Sequence, residues 1–463
     1  MHQAPEDLKY PRSTFTRESP YNATHDESFA TRTVETILNS RIERDLQISE
    51  ELATFTTMTP RKLSQPVHAK TCIKTTAASR MQRMLNRYTA YLPQQSEKAT
   101  PPLSPPNAIA IIGSAGFLGP YIVASLLREH PGSPIICFNR TDDGKERTMS
   151  ALCKIMGDPR FTSSELEFRV TDFASRVRDL HQDLIAETIP QVTEIVFNAW
   201  DSNWGKPLGS FEPLLEALCR VINLAVSAAG HPRITFISSI CAVGDWPLRH
   251  PNSPKIPEEV VWDCDSAMPN GYGQSKCIAE QLLAKAHEIA KLRVNIVRAS
   301  QIGGLSSPQG GEWPRQGWLY SIIQSSAKFG VFPKHLQSLD WIPVDALAQG
   351  IANCIKQSFT TEGLQVFNMV HPNPAKWSLF HEALQTGFGV SSEAIDLSNW
   401  LQRIEQSGLR IHGFLSTQGC GRETNMFYEK TRALGVLPEI KQINQDLLVK
   451  WLQGWGLQPR PNL

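Results

Sequence analysis

The period of the apolar residues changes along the chain, and the change divides it. From Asn107 onward, short apolar runs alternate with amphipathic segments. The runs at Ala108–Ile112, Pro134–Asn139, Leu166–Val170, Glu194–Asn198, Arg233–Ser238 and Arg293–Arg298 predict strands. The segments at Asp142–Met156, Ala174–Thr188, Phe211–Ala229 and Gly271–Ile289, and the stretch after Gly119, carry apolar residues at helical spacing. Strands this apolar are expected to be buried on both faces. That points to an α/β fold with a doubly wound parallel sheet and right-handed crossovers. Beyond residue 300 the pattern loosens. A Gly-, Pro- and Trp-rich segment (303–318) precedes a helix over Val344–Ile355 and a strand near Val366–Met369.

These patterns give a four-part organisation. Residues 1–100 read as an N-terminal extension, poorly ordered over its polar first part, with helical spacing at 36–58 and Met81–Leu92. The proline-rich 101–106 reads as a linker. Residues 107–375 form the strand–helix domain, and 376–463 a smaller, mainly helical substrate-binding subdomain.

Charge and composition narrow the function. Lys and Arg number 46 against 45 Asp and Glu, so no basic field points to nucleic acid or an anionic membrane. The nine cysteines show no paired metal spacing, and none of the twelve histidines sits in a metal-ligand pattern, so no metal is expected. The N-terminus has no apolar signal region and no run approaches a membrane span, so a cytoplasmic protein is expected.

The candidate chemistry starts at the first strand. Gly113-Ser-Ala-Gly116-Phe-Leu-Gly119 separates that strand from a helix, the context in which such glycines cradle a pyrophosphate in a Rossmann fold. The second strand ends at Asn139-Arg140. An arginine there suits a 2′-phosphate, which favours NADPH. Asp172, after the third strand, stands where an adenine would lie and could accept from its amino group, or equally cap the next helix. Tyr272 and Lys276 are four apart on one helix face. A lysine ammonium beside a phenol is expected to bring its high pKa toward working range. Ser239, at the carboxyl end of the fifth strand, can hold the reacting oxygen beside Tyr272, and the neighbouring Ser238 reads as a strand-end hydrogen-bonding group. Trp313, Trp318 and Trp341 cluster after the sixth strand and read either as core residues or as a wall for an apolar acyl chain.

In this order and spacing, Gly113–Gly119, Ser239, Tyr272 and Lys276 resemble the extended short-chain dehydrogenase/reductases. The segments Phe197–Trp204, Ser210–Pro213, Gly271–Glu280, Arg298–Gly304, Gly311–Trp313, Trp318 and Asp340–Asp345 narrow the resemblance. They are similar to the thioester reductase domains of fungal nonribosomal-peptide-synthetase-like enzymes. The resemblance implies NADPH-dependent reduction of a carrier-bound acyl thioester to an aldehyde or alcohol in secondary metabolism. It implies Ser239, Tyr272 and Lys276 as the catalytic group. Gly113, Ser114, Gly116, Phe117, Leu118, Arg140, Asp172 and Asn198 would line the cofactor together with Tyr272 and Lys276. Ser239, Gln301, Ile302, Trp313 and Trp318 would border the substrate. Ile112, Phe197 and Gly317 depart from common family residues and bear on substrate shape.

Residues Thr57–Ser79 faintly resemble the end of a carrier domain, with no attachment serine before them. The extension then reads as a degenerate carrier remnant, and the substrate would arrive on another carrier or free. Two rival readings stand beside this one. The first is a free-standing aldehyde or ketone reductase or alcohol dehydrogenase. The second is a non-catalytic Rossmann scaffold for partner enzymes.

Overall fold

The computed structural model describes residues 76–93, 108–173, 188, 192–228, 230–307, 313–357, 363–405 and 427–457. The expectations for residues 1–75 and for most of the helix at 174–188 lie outside the described residues.

Seven parallel strands form the central sheet. They are β1 (Ile109–Ile112), β2 (Ile135–Asn139), β3 (Leu166–Val170), β4 (Glu194–Phe197), β5 (Arg233–Ser239), β6 (Val294–Ala299) and β7 (Leu364–Met369), in the order β7-β6-β5-β4-β1-β2-β3. The six expected strands are present to within a residue at either end. The run at 364–369 proves to be a seventh member at the sheet edge, paired to β6. β3 closes the other edge and, against the expectation of strands buried on both faces, is only partly buried.

The order reverses between β1 and β4, which opens a crevice at their carboxyl ends. The register aligns Ile112 with both Phe138 and Phe197, so Gly113, Asn139 and Asn198 emerge side by side. Ser239 lies level with Ala299 in the same way.

Helices cover both faces. On one face, α4 (Glu212–Ser227) and α5 (Gly271–Ala290) bury Leu218, Ile222, Ile278 and Leu282 in the core they share with the sheet, and α1 (Ala77–Thr89) packs on α5 and adds Met81 and Leu85 to that core. On the other, α2 (Gly119–Glu129), α3 (Gly144–Met156) and α7 (Val344–Gln357) bury Ile122, Leu126, Leu152, Leu347 and Ile351.

The helix expected at 81–92 runs over 77–89 and belongs to the compact unit that begins at Lys74. It is held there by the Arg87–Glu212 ion pair and by Asn223 donating to the Tyr91 carbonyl at 3.1 Å. The linker expected at 101–106 lies outside the described residues.

The smaller subdomain is not one stretch after 375. Its core joins α6 (Gly317–Phe329) and residues 331–341 to α8 (Ser378–Phe388), α9 (Leu397–Glu405) and α11 (Gln445–Gln453). The intervening α10 (Thr431–Val436) packs back on the main sheet's second face through Ala433 and Val436. No helix among the described residues is long and apolar enough to cross a membrane.

Candidate active site

A cleft of about 1580 Å³ opens at the carboxyl ends of β1, β4, β5 and β6, beneath the smaller subdomain. It is lined by Gly116, Phe117, Leu118, Asn198, Ser239, Tyr272, Lys276, Gln301, Ile302 and Trp318, so ten of the expected site residues meet in one space.

The glycine turn is built as its sequence requires. Gly113 adopts φ +94°, and a Cβ on it would meet the Ala199 backbone nitrogen at 3.0 Å. A Cβ on Gly119 would stand 2.3 Å from the Ser114 carbonyl oxygen, so α2 starts hard against the turn. The space above Gly116 is open. Two asparagines brace the turn. Asn198 donates to the Gly113 carbonyl at 2.9 Å, and Asn139 accepts from the Ala115 N–H at 3.0 Å. Ser114 faces inward, with its hydroxyl bonded to Asn139 and Thr148, so only its backbone is available to a ligand.

Arg140 and Asp172 are exposed at the same carboxyl edge, outside the lining of the cleft. Arg147 reaches back to donate to the Ala115 carbonyl at 2.9 Å, which places a second cation over the turn.

Helix α5 delivers the phenol and the ammonium. Asn270 caps it by accepting from the Gly273 N–H at 2.8 Å. Tyr272 stacks on Trp204 (centroids 6.0 Å apart, planes 15° apart), and it lines the same cleft as Ser239. Ser239 also accepts from the Cys241 N–H at 3.2 Å. Ser238 is engaged elsewhere, donating to the Glu280 carboxylate.

Lys276 is 2 % exposed. Its Nζ donates to the Ile237 carbonyl at 2.6 Å and sits 4.4 Å above the Trp200 ring and 4.5 Å from the Phe236 ring centroid.

The electrostatics differ from the expectation. Burial pushes the Tyr272 phenol above its ordinary value, outweighing the hydrogen bond from Ser239. Burial pushes the Lys276 ammonium well below the usual lysine range, against the opposing pull of Glu280 and Cys241. Without ligand, the phenol is therefore a neutral proton donor rather than a phenolate.

Trp313 does not reach the cleft. It is 1 % exposed and donates to the Ile302 carbonyl at 2.9 Å, with its ring packed on Trp455, Trp451 and Trp341. Trp341 is buried in the same core. Trp318 alone of the three lines the cleft, donating to Gln301 at 3.3 Å.

The remaining wall is more polar than expected, with Lys255, Gln337, Asp340, Lys376, Tyr428 and Lys430 contributing. Sequence reasoning also missed Trp200 and Trp204. Both lie in the Phe197–Trp204 segment, whose aromatic spacing is the signal that could have found them.

Comparison with known proteins agrees with this geometry. The profile of the male sterility protein family, which is NAD-binding, matches residues 111–351. A carboxylic acid reductase of Neurospora crassa is 29 % identical over 334 residues, covering 71 % of this chain and 31 % of the relative. An adenylate-forming reductase of Heterobasidion annosum is 29 % identical over 338 residues, covering 71 % of this chain and 29 % of the relative. The chain thus spans about a third of the length of these two proteins. The terminal R domain from the myxalamid PKS-NRPS biosynthetic pathway superposes with a TM-score of 0.66 at 18 % identity, covering 80 % of this chain and 96 % of that one.

Proposed function

Because the chain belongs to the male sterility protein family, we propose that it is an NADPH-dependent reductase of acyl thioesters, working in the cytosol on a substrate carried by a partner protein or free. One observation carries the reading: Ser239, Tyr272 and Lys276 converge on the wall of a single cleft whose neighbouring wall is the glycine turn.

The chain fits a nicotinamide dinucleotide. Open space above Gly116, the start of α2 and the braced turn suit a pyrophosphate. Arg140 and Arg147 flank that turn and suit a 2′-phosphate better than a bare ribose. Asn198 and Lys276 stand where the cofactor's reactive half would meet β4 and β5. When bound, NADPH supplies the hydride to the acyl carbonyl carbon.

The rest belongs to this chain. Ser239 and Tyr272 hydrogen-bond the carbonyl oxygen as it gains charge. Tyr272, held neutral by burial, gives that oxygen its proton. Lys276, caged by Trp200 and Phe236, orients the phenol and offsets the developing charge. The hemithioacetal so formed loses its thiol and becomes an aldehyde, and a second round gives the alcohol. Gln301, Ile302 and Trp318 border the acyl group.

The test is loss of NADPH absorbance with an acyl-pantetheine thioester and, in parallel, its free aldehyde. Oxidation with the thioester and recovery of the aldehyde or alcohol is expected. Oxidation with the aldehyde alone means a free-standing carbonyl reductase. Silence with both and no NADPH binding means a scaffold.

A further inference from the structure

Tyr272, Lys276 and Glu280 follow one another at single-turn intervals on the same face of α5. The first two meet the cleft, while the third points into the protein and is 2 % exposed. Glu280 takes a forked pair of hydrogen bonds from the wholly buried Arg298 of β6. The Arg298 Nη2 stands 2.7 Å from Oε2, and Nε stands 3.1 Å from both oxygens. The same guanidinium donates to the Pro257 carbonyl at 3.0 Å and the Glu259 carbonyl at 2.8 Å. Ser238 of β5 completes the carboxylate's shell.

One carboxylate thus ties the catalytic helix to two of the strands that end at the site, β5 and β6. A buried pair of this kind is poor value as a mere stabiliser, since apolar packing does as well. Its placement suits alignment instead. Ser238 is fixed by Glu280, and the next residue along the strand is Ser239, in reach of Tyr272.

We propose that Glu280 is a positioning residue: through Arg298 and Ser238 it fixes the register of α5 on β5 and β6, and with it the reach of Tyr272, Lys276 and Ser239. This rests on the reading of Tyr272 and Lys276 as the working pair.

The carboxylate has a second effect. Lys276 is faced by Tyr272 and Glu280 on its own helix, by the Ile237 carbonyl of β5, by Cys241 just after β5, and by the Trp200 and Phe236 rings. Arg298 on β6 is bound to Glu280. Glu280 is the carboxylate that opposes the effect of burial on the ammonium. Removing its charge, and leaving Arg298 unpaired, lowers the lysine's pKa further.

Four proteins test the proposal: wild type, Glu280→Gln, Glu280→Asp and Tyr272→Phe. In Glu280→Gln, kcat is expected to fall at least about tenfold with KM for NADPH within about twofold. The alkaline limb of its kcat profile is expected to move about one pH unit to lower pH. Glu280→Asp keeps the charge and should recover the alkaline limb and part of kcat. If Glu280→Gln matches wild type in kcat and in its alkaline limb while Tyr272→Phe is inactive, the positioning role is wrong and the site reading stands. If Tyr272→Phe is active, the site reading itself fails. Should Glu280→Gln not fold, the Glu280→Asp profile decides: a wild-type kcat there, one methylene short of the Arg298 fork, overturns the proposal.

Discussion

Replacing Tyr272 with phenylalanine removes one oxygen and leaves the packing of the ring in place. Trp204 at 6.0 Å and Phe211 at 6.4 Å still contact the ring. Ser239 keeps the Cys241 N–H at 3.2 Å on its acceptor side, and its hydroxyl hydrogen can turn to the open cleft that it lines. Folding stability should therefore change by no more than about 1 kcal/mol. NADPH binding should hold as well, since the glycine turn, Asn198 and Arg140 are untouched.

Catalysis should not hold. A positioned proton donor contributes about 10²–10⁴ in rate, or roughly 3–5 kcal/mol of barrier. The burial that raises the phenol keeps it protonated throughout the neutral range, so the donor is fully present in wild type and its loss is felt in full. The assay is kcat by NADPH absorbance, with NADPH affinity by fluorescence titration and stability by urea unfolding on the same preparation. A variant that keeps more than about a tenth of wild-type kcat would refute the reasoning, as would one that loses NADPH binding to the same degree as turnover.

Three further predictions use other parts of the structure. Arg140→Ala should raise KM for NADPH about ten- to a hundredfold and leave KM for NADH unchanged, because a charge-assisted contact to phosphate is worth about 1.5–3 kcal/mol; equal losses for both would remove the 2′-phosphate role. Trp313→Ala should cost about 3–5 kcal/mol in urea unfolding and leave the acyl-chain preference intact, because the indole is core and not cleft wall; a changed chain preference at unchanged stability would contradict that placement. Burial pushes the Asp340 carboxyl up to about 7 against an ordinary 3.8, with Lys430 opposing. The folded state then holds a proton that the unfolded state has released, so this group's stabilising contribution is full below about pH 4 and is lost as pH rises through about 7. Asp340→Asn should therefore raise the melting temperature relative to wild type more at pH 8 than at pH 5, and a pH-independent difference would contradict the shift.

The parts legible in the sequence are those set by local pattern. Apolar runs such as Ile109–Ile112 can only be buried strands, and Gly113 and Gly119 mark a turn whose carbon-poor backbone the fold needs. The four-residue spacing of Tyr272 and Lys276 fixes a shared helix face, and Ser239 sits where a parallel sheet ends. What depends on distant chain was not legible. Trp313 and Trp318 look alike in sequence, yet residues 451 and 455, far along the chain, bury the first and leave the second on the cleft. The Lys276–Tyr272 spacing says nothing of depth, and depth is what raises the phenol and depresses the ammonium. The Tyr91 carbonyl bonded to Asn223 ties the chain just after the first helix to α4, more than a hundred residues on, a contact that no local pattern encodes.

The central claim is hydride delivery to a thioester carbonyl with expulsion of the thiol. The most direct measurement supplies NADPH deuterated at the transferred position together with an acyl-pantetheine thioester, and follows both the label and the free thiol. Deuterium is expected on the former carbonyl carbon of the aldehyde or alcohol, with one thiol released per acyl group consumed. Label recovered in a product that retains its thioester, or thiol released with no deuterium in the product, would contradict it.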